Sequence, residues 1–121
     1  MKTLSIAILS IALSVAAQFS LKAGMSSNSV RAAIGEFSFV RTFAEVFTNV
    51  YVLAGFVLYG IGAVVWLGVL ADWDVSKAYP LVGLGFVFTV AIGFMMGEYI
   101  TLPRVLGVGL ICTGVLLVGR S

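Results

Sequence analysis

The chain of 121 residues is too apolar for a soluble domain: 61% of its residues are hydrophobic, 10% are charged, and its mean hydropathy is +1.17. Soluble domains carry about a quarter charged residues. The formal net charge of +2 is too small to indicate nucleic-acid binding, and one Cys without any His excludes a disulfide framework or a His/Cys metal site within one chain. We therefore assign the chain no catalytic residue, no metal and no cofactor, and expect an all-α membrane protein rather than an enzyme.

Four segments are apolar over the roughly 20 residues that a helix needs to cross the hydrocarbon core of a bilayer. They cover residues 3–21, 50–71, 75–97 and 102–119. The last three are joined by loops of only a few residues, so they must be antiparallel neighbours. The sequence predicts one transmembrane domain of four helices over residues 1–121.

The first segment has a second interpretation, as a secretory signal peptide. Lys2 precedes an apolar run, and the small residues at 15–17 resemble a cleavage site. We predict a membrane span instead, because the polar residues within this run are ordered rather than scattered.

Those polar residues recur every four positions and share one stripe of the helix: Ser10, Ser14, Gln18 and Lys22. Hydroxyl and amide groups that face lipid are costly, so the stripe should face the bundle interior or a wet cavity. For the two serines we favour the simpler interpretation, close packing of helices. For Gln18 with Lys22 we favour a binding site, with snorkelling of Lys22 to the interface as the alternative.

The long connection after the first span is predicted to contain an amphipathic helix lying in the membrane interface. Its apolar residues recur at helical spacing: Phe37, Val40, Ala44 and Phe47. The segment could instead only anchor the loop and extend the second span. Arg41 could approach the depth of Lys22, or it could pair with Glu45, four residues further along.

The third span begins with a sequence that predicts a loosened helix. Asp74 can cap the helix, and Pro80 removes a backbone hydrogen bond about one turn later. An interrupted helix beside Lys77 and Tyr79 is a common way to build a binding site within a membrane, although a packing kink fits equally well.

Acidic residues are absent from the middle of every predicted span, since Glu98, Asp72 and Asp74 lie at span ends. A proton-coupled exporter of cations needs a carboxylate within the membrane. This absence therefore argues against such an exporter.

The fourth span carries Gly107 and Gly114, which lie seven residues apart and share one helix face. Small residues at this spacing permit close contact between helices. We expect a homodimer, or a heterodimer with a similar four-helix chain, packed through this face.

The sequence from Leu70 to Val115 resembles the four-helix members of the drug/metabolite transporter superfamily. The resemblance is carried by Ala78-Tyr79-Pro80, by the Gly97-Glu98 turn and by the glycine-rich fourth helix. With Gln18 and Lys22 of the first span it covers nearly the whole chain. It implies a multi-pass transporter of the bacterial inner membrane.

Two branches of that superfamily compete. Small multidrug-resistance exporters depend on a Glu in the first span, where this chain has Ser14. EamA-like flippase subunits, which move aminoarabinose-linked undecaprenyl phosphate, are similar in the Ala-Tyr-Pro segment and the Gly-Glu turn. We favour this second branch, because its anionic lipid suits the basic residues of the chain; a non-transporting accessory subunit is a third interpretation. The candidate substrate-binding residues are Ser14, Gln18, Lys22, Arg41, Lys77 and Tyr79, and the expected ligand is a membrane lipid such as a polyprenyl phosphate.

Overall fold

Helices make up nearly all of residues 2–121, which are the residues that the computed structural model describes. In chain order they are α1 (Lys2–Met25), α2 (Asn28–Gly35), α3 (Phe39–Thr48), α4 (Val50–Asp72), α5 (Val75–Ala78), a 3₁₀ segment (Tyr79–Leu84), α6 (Gly85–Met95) and α7 (Leu102–Arg120). These described residues form no β-strand. The predicted fold class, an all-α protein, is confirmed.

Four helical stretches are long and apolar enough to span a membrane, which confirms the prediction of four transmembrane helices. Three of them are the single helices α1, α4 and α7. The other, Val75–Met95, combines α5, the 3₁₀ segment and α6.

Side-chain caps determine where two of these spans begin. The Asn49 Oδ1 accepts hydrogen bonds from the backbone N–H groups of Tyr51 and Val52, at 2.9 and 3.2 Å, and α4 starts there. The Thr101 Oγ1 accepts one from the backbone N–H of Arg104 at 3.4 Å and starts α7. Such caps satisfy donors that have no partner within the helix.

The loosening predicted at Pro80 takes the form of the 3₁₀ segment Tyr79–Leu84. Pro80 is its second residue and lacks the N–H that a regular α-helix would use. The Tyr79 side chain stays 68% exposed at this interruption.

Helices α1 and α4 form the closest helix pair of the fold. The buried Ser10 donates from its Oγ to the Gly62 carbonyl oxygen at 2.7 Å, and the Ser20 Oγ donates to the Tyr51 carbonyl oxygen at 2.6 Å. A Cβ on Gly55 would lie only 2.7 Å from the Leu21 side chain and 3.2 Å from the carbonyl oxygen of Ala17. Hydrogen bonds and a missing side chain thus hold the two backbones together.

The core is small and consists mostly of short side chains. It joins α1, α4, the third span and α7 through Ala7, Ile11, Val15, Val69, Ala78, Leu81 and Val115. Val115 is the one buried residue of α7, so this helix lies at the edge of the bundle.

The connection after α1 folds into α2 and α3, and α3 leaves several apolar side chains uncovered. Phe39 and Phe43 are exposed, whereas the Phe47 ring stacks on Phe56 of α4 with ring centroids 5.8 Å apart. The helical part of the prediction for this connection agrees with α3, and its location in the membrane interface stays a prediction.

We predict that Gly55→Ala destabilises the helix pair, because the new methyl group would meet Leu21 at a distance that real Cβ atoms do not show. A cost of roughly 1–3 kcal/mol is expected, and thermal unfolding in detergent would measure it. Gly60→Ala is the matched control in the same helix, since nothing lies within 4 Å of its Cβ position. Equal melting temperatures for the two variants would contradict this account of the packing.

Candidate functional site

A groove of about 780 Å³ lies between α1, α4 and the third span. Its lining is mostly apolar and aromatic, with Trp66, Tyr59, Tyr79 and Phe86 among its side chains. Within residues 2–121, no charged side chain lines it. We call it the apolar groove.

Three residues of the polar stripe of α1 face α4 and this groove: Ser10, Ser14 and Gln18. Ser10 bonds to the backbone of α4, as described above, and so has a packing role. Ser14 lines the groove and donates to the carbonyl oxygen of Ser10 at 3.1 Å. The Gln18 Nε2 donates to the hydroxyl of Tyr59, which joins the stripe to α4 at the end of the groove.

A second cavity of about 530 Å³ adjoins the first, and we call it the charged pocket. It is lined by Gln18, Phe19, Lys22, Thr89, Glu98, Tyr99 and Arg104. Gln18 and Thr89 line both cavities, so the apolar groove and the charged pocket share part of their walls.

The charged side chains of this pocket do not pair with one another. Among residues 2–121 the one ion pair within 4.0 Å joins Arg41 to Glu36, which lie outside the pocket. Lys22, Glu98 and Arg104 therefore have no ionic partner within that distance. All three side chains are exposed, so water as well as a ligand can reach their charges.

The turn between α6 and α7 positions Glu98 and Arg104. Gly97 adopts φ 91°, a left-handed conformation that suits glycine. The backbone N–H of Glu98 donates to the Gly93 carbonyl oxygen at 2.9 Å, and the Arg104 Nη1 donates to the Tyr99 carbonyl oxygen at 3.1 Å.

Of the residues that the sequence singled out, four line these cavities. Ser14 and Tyr79 line the apolar groove, Lys22 lines the charged pocket, and Gln18 lines both. Gln18 and Lys22 are thus brought together as expected from their spacing.

Arg41 and Lys77 line neither cavity. The Arg41 Nη1 donates to both carboxylate oxygens of Glu36 and not to Glu45, the alternative partner that helical spacing offered. The hydrogen bond to Glu36 and the charge of that carboxylate raise the pKa of Arg41 above its usual value. The Lys77 Nζ lies 4.6 Å from the centroid of the Trp73 ring, a cation–π contact.

Sequence reasoning missed Tyr59, Glu98 and Arg104. Tyr59 lies in the second span, where polar residues show no helical periodicity, so no pattern singled it out. The sequence pattern placed Glu98 only at a span end and did not single out Arg104, although the glycine before Glu98 indicates a tight turn.

Comparison with known proteins finds similarity over about half of the chain. The chain is 42% identical over 63 residues to the probable 4-amino-4-deoxy-L-arabinose-phosphoundecaprenol flippase subunit ArnE of Pseudomonas savastanoi pv. phaseolicola. The matched region covers 51% of this chain and 55% of that protein. The protein of the same name from Enterobacter sp. (strain 638) is 42% identical over 66 residues, and this match covers 54% of this chain and 62% of that protein. The one from Pseudomonas fluorescens is 44% identical over 62 residues, 50% and 54% of the two chains.

The chain spans about half the length of the curated relatives it matches. No family model matches it. No solved structure matches it either. The resemblance to flippase subunits that the sequence predicted is confirmed over that half: this multi-pass membrane protein is similar there to bacterial subunits named for the flipping of a polyprenol-linked amino sugar.

Proposed function

We propose that the chain is a subunit of a flippase that moves a polyprenyl-phosphate sugar across the bacterial cytoplasmic membrane. The observation that carries this proposal is that the apolar groove and the charged pocket share the wall residues Gln18 and Thr89. A polyprenyl phosphate has the same order of parts, an apolar chain followed by a charged head. The names of the relatives supply the substrate class, 4-amino-4-deoxy-L-arabinose-phosphoundecaprenol.

The head of such a lipid suits the unpaired cations of the pocket. Lys22 and Arg104 both line it and have no ionic partner within 4.0 Å among residues 2–121. Both side chains are exposed, so water partly screens their contacts, and each charge-assisted hydrogen bond to a phosphate is worth roughly 1–1.5 kcal/mol. The guanidinium of Arg104 could also bind two phosphate oxygens at once.

The polyprenyl chain suits the apolar groove. The groove is not fully enclosed, so a long chain could occupy it in part and leave the remainder in the lipid. Trp66 and Phe86 provide broad apolar surfaces, while Ser14 and Thr89 are the small polar groups along the way.

We predict that Lys22→Gln and Arg104→Gln each weaken the binding of undecaprenyl phosphate by about tenfold, the loss of one charge-assisted hydrogen bond. Arg41→Gln is the matched control, because Arg41 pairs with Glu36 and lines neither cavity. Binding to purified protein in nanodiscs, followed by native mass spectrometry, would measure these differences. If Lys22→Gln and Arg104→Gln both bind this lipid as tightly as the parent, the proposed phosphate site is wrong.

A small multidrug-resistance-type exporter is the second candidate, because four aromatic side chains line the groove: Tyr59, Trp66, Tyr79 and Phe86. Aromatic faces attract organic cations. Against this candidate, no carboxylate among residues 2–121 lines the groove, and the family resemblance matches Ser14 to the Glu on which those exporters depend.

The two candidates differ in what Ser14→Ala does. A flippase that needs no titrating group at this position should keep most of its lipid movement in proteoliposomes. Loss of transport together with loss of a pH-dependent step would instead favour the exporter. A parent protein that binds the lipid but moves none of it would indicate an accessory subunit.

We further propose that the chain works as a dimer, with itself or with a similar chain, through the face of α7 that carries Gly107 and Gly114. Nothing lies within 4 Å of the Cβ position of either glycine, and Val115 is the one buried residue of this helix. Close helix packing within a membrane relies on small residues of this kind.

Gly114→Leu should therefore shift the protein from dimer to monomer in mild detergent, as measured by crosslinking and native mass spectrometry. Gly109→Leu is the control: at 100° per residue, Gly109 points to roughly the opposite side of the helix from Gly107. An unchanged crosslinking pattern for Gly114→Leu would count against this interface.

A further inference from the structure

We propose that Glu98 binds a free amine on the head of the lipid and thereby makes the charged pocket selective for an amino sugar over a sugar with hydroxyl groups alone. This inference rests on the proposed function, because Lys22 and Arg104 must hold the phosphate beside it. It assigns Glu98 a role that a pocket for a simple anion would not need.

Glu98 is the one acidic side chain that lines either cavity within residues 2–121. It shares the charged pocket with Lys22 and Arg104, yet it forms no ion pair with them within 4.0 Å. A carboxylate beside a phosphate-binding pair of cations repels the phosphate and lowers its affinity. A positive charge on the same ligand would attract the Glu98 carboxylate and offset its repulsion of the phosphate.

The position of the carboxylate is restricted by the turn that carries it. The left-handed conformation of Gly97 and the hydrogen bond from the Glu98 N–H to the Gly93 carbonyl oxygen fix the backbone. The side chain then lies against Gly93, where an added Cβ would be 2.9 Å from the Glu98 Oε1. Because Gly93 has no side chain, the Glu98 carboxylate can occupy the space beside its Cα atom.

The pocket thus presents two positive groups and one negative group to a ligand. A phosphate linked to a sugar that carries an ammonium group has the complementary arrangement of charges. Glu98 is exposed, and a sugar with hydroxyl groups alone could donate hydrogen bonds to it but would bring no positive charge to its carboxylate. Acylation of the amine should have the same effect, since it removes the positive charge.

The test uses the full chain in nanodiscs and three lipids: 4-amino-4-deoxy-L-arabinose-phosphoundecaprenol, the same lipid with its amine acetylated, and arabinose-phosphoundecaprenol. The parent should bind the free-amine lipid about tenfold more tightly than the other two, the value of one hydrogen bond between charged groups. Glu98→Gln should lose this preference and bind the two neutral-sugar lipids at least as tightly as the parent does. Glu45→Gln is the matched control, because Glu45 lies on α3 and lines neither cavity.

Two results would overturn the inference while leaving the proposed function intact. One is a parent that binds all three lipids equally but loses them in Lys22→Gln; the other is a Glu98→Gln protein that keeps the preference of the parent. A parent that binds none of the three lipids would overturn both. The comparison of free and acetylated amine needs no substitution, so a parent without a preference overturns the inference even if Glu98→Gln fails to fold.

Discussion

The close contact of α1 with α4 is the constraint on which the rest of the structure depends. Inside a membrane the helices gain little from burying apolar surface, so small residues and interhelical hydrogen bonds must hold them. Gly55 provides the close approach, and the bond from Ser10 to Gly62 fixes the rotation of α1 about its axis. That rotation turns Ser14 and Gln18 toward the apolar groove instead of toward lipid.

The interrupted third span completes the groove on its other side. Irregular backbone is tolerated at membrane depth where it is buried in protein or lines a cavity, and the 3₁₀ segment Tyr79–Leu84 meets this condition. Gly85 follows it directly and lets the backbone approach Ile11 of α1, whose side chain would lie 3.1 Å from an added Cβ. The third span therefore packs closely on α1 at Gly85, whereas the Tyr79 side chain stays exposed.

Features that lie within one helix could be predicted from the sequence, and features that depend on packing could not. Hydropathy was enough for the four spans, and the four-residue spacing was enough to place Gln18 and Lys22 on one stripe. Glu98 and Arg104 join Lys22 only because the turn at Gly97 meets the end of α1 in space. Helical spacing offered Glu45 as one partner for Arg41, but Glu36, which precedes the cap of α3, pairs with Arg41 instead.

Under the proposed function, a lipid head would move between a pocket with charged side chains and a groove without them. All the charged groups of the site lie in the pocket, whereas the groove offers only neutral polar groups such as Ser14, Tyr59 and Thr89. A transported group must bind well enough to enter and weakly enough to leave. A charged side chain deep in the groove would hold a phosphate too strongly for release. The hydrogen bond between Gln18 and Tyr59 stands where the two cavities meet, so a head leaving the pocket would exchange its ionic contacts there for these weaker, neutral ones.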